Sequence, residues 1–159
     1  MAHSFILTSR STVFKTMLHI PMREHATREI NVQCVGATTM EHLLRYMYTD
    51  LVDPRVLADE RQVFSLFRAA HLYEVKGLVE ISEEMMGMML NIESVADVYR
   101  EADRMQAAHL RKQCLHFIVD NLAEVQATEG FNLLTQEQPQ LLVHILEAIA
   151  PPAKSQRSS

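Results

Sequence analysis

Eight histidines are the residues in this chain best suited to chemistry: His3, His19, His25, His42, His71, His109, His116 and His144. Imidazole is a common zinc ligand, and two imidazoles on one helix face need an i, i+4 spacing. No HxxxH or HExxH pair occurs. Cys114 and His116 are neighbours in sequence, but residues two apart face different sides of a helix. Cys34 and Cys114 form no CxxC pair. Each lies in an apolar-periodic segment and reads as a buried free thiol in a reducing compartment. Gly36, Gly77, Gly87 and Gly130 are isolated, and no GxSxG, P-loop or GxGxxG is present, so no loop is built to cradle a phosphate or raise a nucleophile. The acid pair Glu83-Glu84 reads as a solvated helix face. We expect no catalytic residue, no metal set and no cofactor. The chemistry left to such a chain is binding.

Charge narrows the partners. Fifteen Lys and Arg against twenty Asp and Glu leave a net charge of −5. Nucleic acid requires a basic patch, and the densest basic run is only Arg111-Lys112. No apolar run approaches the length of a membrane span, and no basic region leads to a signal-cleavage site. An intracellular protein, cytoplasmic or nuclear, is expected, with no nucleic-acid, membrane or small-molecule partner. Its 159 residues, 48% of them apolar, can bury about two thirds of the unfolded surface without disulfides or metals.

Helices must position whatever binds. The chain opens on "MAHSFILTSR", which already reads as helix. Ser11 can cap a second helix carrying Val13, Phe14, Met17 and Leu18, stopped by Pro21. Residues 28–35 set Ile30, Val32 and Cys34 on one side at period two and read as a strand. A lone strand cannot pair its own backbone, so a partner strand is expected from another chain or from a segment this chain lacks. Thr38 or Thr39 can cap a helix through Met40, Leu43, Leu44 and Met47; "LVDP" reads as a turn. Helical periodicity follows over "ERQVFSLFRAAHLY" and "EVKGLVEISEEMMGMML", then Asn91 caps "IESVADVYREADRM" before "AAHLRKQCLHFIVDNL". Gly130 reads as a stop, and a last helix starts behind Pro139. The Pro-led tail from residue 151 is expected to be disordered.

Two further patterns stand out. At an offset of 32 residues Val63 matches Val95, Leu66 Val98, Phe67 Tyr99, Ala70 Ala102, Leu78 Leu110, and Met86 Ile118. Each copy is a helical hairpin that needs a neighbour over its apolar face. The methionine-rich "EEMMGMML" reads as adaptable core filling, or as a pliable partner face, with part of the stripe exposed at a docking edge.

Three blocks together resemble the BTB/POZ domain family. "AHSFILTSRSTVF" is similar to its A-H-x-x-(I/V)-L-x-x-R-S-x-x-F signature; "LLRYMYTD" and "FRAAHLYEVKGLVE" resemble its later helices. The residues that carry the match include His3, Leu7, Phe14, Leu44, Tyr48 and Ala70. The resemblance spans residues 2–90, and residues 91–150 resemble the helical BACK or 3-box extension. It implies a mostly α fold: a BTB/POZ helical body with one or two short strands (1–90), stacked hairpins (91–150) and a tail (151–159). Family members normally carry a helix and two strands before the Ala-His pair, so a shortened form or a fragment is expected. The dimer surface leans on that segment, which leaves pairing with another BTB chain open.

The same resemblance implies an adaptor for cullin-3 ubiquitin ligases. Met22-Arg23-Glu24 occupies the place of the family's φ-x-E motif. Met22 would fill an apolar pocket on the cullin, and Glu24 would support the loop or contact the cullin. Tyr73 would be a further contact or a core-edge residue. The alternatives are a dimerisation or corepressor-binding scaffold, and a decoy that occupies cullin without delivering a substrate. The corepressor class uses a base just after the Ala-His, where this chain has Ser4.

Overall fold

The structure, a computed structural model, describes residues 2–19 and 34–150. Among the described residues it is helical throughout, with no strand. The chain divides into two compact units, Met1–Met89 and Leu90–Ser159.

In the first unit, α1 (Ala2–Arg10) and α2 (Thr12–His19) meet at Ser11. Ser11 caps α2 as its sequence suggests, its Oγ accepting from the Phe14 N–H at 3.1 Å. Then come α3 (Ala37–Thr49), the one-turn α4 (Pro54–Leu57), α5 (Glu60–Leu72) and α6 (Lys76–Met88). The core is built where their stripes meet: Phe14, Leu43, Met47, Val56, Leu66, Phe67, Ala70, Leu78 and Met86 are all buried. Removing such side chains from water supplies about 1.5–3 kcal/mol for each large one.

The second unit holds α7 (Val95–Arg104), α8 (Ala108–Asp120), the short α9 (Leu122–Val125), α10 (Glu129–Glu137) and α11 (Pro139–Ile149). Val98, Tyr99, Leu110, Cys114, Ile118, Leu134, Leu141 and Ile145 form its core. Arg100 ties α7 to the end of α10 through Glu137, and also bonds Asp97 at 3.1 Å.

Several expectations change. Of the strand proposed for 28–35, residues 28–33 lie outside the described residues, and Cys34 and Val35 form a bend. Gly36, not Thr38 or Thr39, occupies the cap position of α3, because the helix already begins at Ala37. The "LVDP" turn continues into α4: Asp53 accepts from the Arg55 N–H at 2.9 Å, and Pro54 sits where its missing N–H costs nothing. Gly130 does not stop a helix. It lies buried in the first turn of α10, where an added Cβ would stand 3.3 Å from Asp97 Oδ2 and 3.4 Å from the Ala96 Cβ. Glycine there permits close approach of two helices. The methionine stripe divides: Met86 is core, Met85 and Met89 are half-buried, and Met88 is exposed.

The 32-residue echo is present in the backbone. α6 and α8 begin and end at equivalent positions, and so do the turns before them. Glu74 (φ 51°) and Gln106 (φ 57°) both take the left-handed conformation that ends a helix. Val75 N–H bonds Ala70 O at 2.9 Å, and Ala107 N–H bonds Ala102 O at 2.8 Å, the same six-residue closure in both copies. All six echo pairs are buried.

Candidate docking site

The three signature blocks, far apart in sequence, are tied together by side chains in the first unit. His3, Leu7 and Arg10 share one face of α1 at helical spacing. His3 Nδ1 lies 2.7 Å from the Tyr48 hydroxyl, with the rings edge to face at 5.5 Å. Arg10 grips Asp50 with both terminal nitrogens, one of them at 2.7 Å from Oδ2. Asp50 ends α3 with a left-handed φ of 58°, its N–H bonded to Tyr46 O at 2.8 Å. The Arg10 bonds hold the Asp50 carboxyl below the ordinary aspartate range.

A second joint fixes α2. Ser11 Oγ donates to the carbonyl of Tyr73 at the end of α5, and Thr12 Oγ1 donates to the Glu74 carboxylate. Phe14 stacks on Tyr73, with centroids 4.7 Å apart and planes inclined by 17°. Ser11 is itself buried, so its bonds are made where water does not compete. α2 is thereby anchored at its start by two hydroxyls and along its length by one aromatic stack. Residues 20–33 follow from this fixed helix.

The sequence-derived residues fall into distinct places. Phe14 and Ala70 are core; Leu7 and Leu44 are half-buried on packed faces. His3 and Tyr48 are exposed but bonded to each other. Tyr73 is 3% exposed, so it braces α2 and offers almost no surface; burial raises its phenol pKa. Met22 and Glu24 lie outside the described residues. Sequence reasoning did not single out Thr12, Asp50 or Glu74 as joints. Each lies inside one of the three blocks and is a polar side chain at a helix end, where backbone groups need partners. Among the described residues no group of three or more His, Cys, Asp or Glu is placed to hold a metal ion. No helix among them is long and apolar enough to cross a membrane.

The family model described as BTB/POZ domain matches residues 1–89, the part that contains all of these joints. The model described as BPM/SPOP, BACK domain matches residues 94–146. A BTB/POZ domain-containing protein of Arabidopsis thaliana is 29% identical over 157 residues, covering 98% of this chain and 55% of the relative. TD and POZ domain-containing protein 4 of Mus musculus is 27% identical over 149 residues, 94% of this chain and 40% of the relative. BTB/POZ and MATH domain-containing protein 3 of Arabidopsis thaliana is 29% identical over 168 residues, 99% of this chain and 41% of the relative. The chain thus spans about half the length of the curated relatives it matches. It belongs to the BTB/POZ domain family, whose members are protein-interaction modules rather than enzymes.

Proposed function

We propose that this chain is an adaptor that binds the N-terminal region of a cullin-3 scaffold through Met22 and Glu24. The observation that carries the reading is the order of the two matches, a BTB/POZ domain over 1–89 followed by a BPM/SPOP BACK domain over 94–146. The anchoring of α2 supports it physically. Met22 and Glu24 follow a helix held by Ser11, Thr12 and Phe14. Order already present in that helix lowers the entropy cost of binding through the residues after it. An acid beside it supplies a polar rim. In this reading Tyr73 acts through Phe14, as a brace. The same reading implies a cytoplasmic or nuclear location; of the two cysteines expected to be buried, Cys114 is and Cys34 is exposed.

The test is calorimetry of the full chain against the cullin-3 N-terminal domain. Met22→Ala with Glu24→Ala should weaken binding by about 2 kcal/mol or more, as for an interface hot spot. Equal affinity of variant and wild type rejects the site. Absence of binding by the wild type rejects the adaptor reading, and a concentration-dependent dimer with no cullin binding favours the dimerisation module.

A further inference from the structure

The second unit contains a cleft of about 540 Å³ lined from α7, α8 and α11. That is within the range of sites that take a ligand or a few residues of peptide. Ala108, Leu115 and Ala148 supply its apolar lining. Its polar groups are unevenly charged. Arg111 and Lys112 face it from α8, against the single carboxylate of Glu147 on α11, beside His144. The lining itself carries two cations against one carboxylate, on a chain whose net charge is −5, with the Asp103 carboxylate behind Arg111.

Two details go beyond charge. Arg111 Nη1 donates to Asp103 Oδ1 at 2.9 Å, and Asp103 does not line the cleft. Asp103 therefore orients the guanidinium while using only one of its five N–H donors. Tyr99 lines the same cleft with 1% of its surface exposed, and its hydroxyl has no hydrogen-bond partner among the described residues. The phenol is protonated at neutral pH, the more so because burial pushes its pKa up to about 12, and its hydroxyl can donate to a group in the cleft.

We propose that this cleft binds an acidic, partly aliphatic peptide segment of a partner protein. One carboxylate of the segment accepts from Arg111 and the Tyr99 hydroxyl, a second lies near Lys112, and an aliphatic side chain packs on Ala108, Leu115 and Ala148. Glu147 repels acids from the α11 side and so favours one orientation. This inference concerns residues 95–149 and does not rest on the cullin reading.

Fluorescence anisotropy of the full chain with a short labelled peptide of alternating glutamate and leucine tests it. Saturable binding is expected, weakened by added salt. The matching glutamine–leucine peptide should bind about tenfold more weakly, as fits the loss of charge-assisted bonds. Arg111→Gln would also strand Asp103, so two other variants carry the test. Lys112→Glu on the exposed surface should weaken the acidic peptide about tenfold. Tyr99→Phe removes only the hydroxyl; it should weaken binding several-fold and leave the melting temperature unlowered, which a purely structural tyrosine would not do. Failure to saturate at about millimolar peptide, equal binding of the glutamine peptide, or wild-type affinity in both variants overturns the proposal.

Discussion

The hairpins α5–α6 and α7–α8 share one turn geometry but are locked in different ways. At the first turn the lock comes from far along the chain. Ser11 reaches Tyr73 O, Thr12 reaches Glu74, and Phe14 covers Tyr73. At the second turn the lock is local. Gln106 Nε2 donates to Asp103 O at 2.8 Å, and Arg111 holds the Asp103 carboxylate. Identical backbone closures thus rest on contacts of very different sequence separation. A hairpin with local locks closes short loops only, whereas the first must also bring in residues some 60 positions away, at greater entropic cost. The first hairpin is therefore the one whose order depends on the signature segment, and the candidate docking residues follow directly from that segment.

Breaking the remote lock should produce the largest effect. Phe14→Ala removes a core aromatic that is 2% exposed and stacked on Tyr73, at a cost of about 3–5 kcal/mol. Ser11→Ala removes both the cap of α2 and the partner of Tyr73 O, costing about 1–3 kcal/mol. Hydrogen exchange resolved along the chain separates the two hairpins. Protection should fall more over residues 60–75 than over 95–107. An equal fall in both would mean that the locks are not distinct.

The contrast between local and remote also explains what the sequence reveals. Val63, Leu66, Phe67 and Ala70, with Val95, Val98, Tyr99 and Ala102, mark both hairpins because helical periodicity is written into neighbouring residues. The left-handed turn residues carried no such mark, since Glu74 and Gln106 are not glycine, and the closure is seen only in the backbone. Gly130 misled because a lone glycine signals either an end or a close approach, and only the presence of Ala96 and Asp97 beside it decides between them. "LVDP" reads as a turn, yet its Pro54 equally suits the first position of a helix, where Asp53 makes it a start. The pairings His3–Tyr48 and Arg10–Asp50 join blocks recognised separately. Nothing in either block states which residue meets which. For Tyr73 the sequence leaves open a further contact or a core-edge residue, because whether its ring faces in or out depends on Phe14, 59 positions away in the sequence.

The echo positions also differ in what can titrate. Where the first hairpin has Phe67 and Ser82, the second has Tyr99 and Cys114. Burial pushes both groups of the second hairpin up to about 12. A raised folded pKa means that the unfolded chain loses its proton first, so stability is full below the ordinary value and declines as pH rises toward 12. The thiol has the lower ordinary value, 9.0 against 10.0, and so acts first. Between pH 8 and pH 10 Cys114 should cost about 1 kcal/mol, given about 1.4 kcal/mol per pH unit for a single group. Urea titrations at the two pH values measure this. Cys114→Ala should abolish most of the pH-dependent loss, whatever it does to the baseline. A wild-type loss that persists in the variant would assign the effect elsewhere, first to Tyr99 and then to Tyr46 and Tyr73 of the first unit, whose pKa values burial also raises.

The smallest effect comes from the two turn residues, and it tests the comparison most directly. Both hold a conformation that costs an ordinary residue about 1 kcal/mol and costs glycine almost nothing. Gln106→Gly gives up one bond within its own turn, to Asp103 O, and should be stabilising by a few tenths of a kcal/mol. Glu74→Gly relieves the same backbone but removes the acceptor of Thr12, part of the remote lock, so its gain should be smaller or reversed. The double variant Thr12→Ala with Glu74→Gly separates the two contributions. If the lock is the reason for the difference, Glu74→Gly measured in the Thr12→Ala background should recover a gain like that of Gln106→Gly. If the two glycine variants already match in the wild-type background, the Thr12 bond contributes nothing and the remote lock reduces to Ser11 and Phe14.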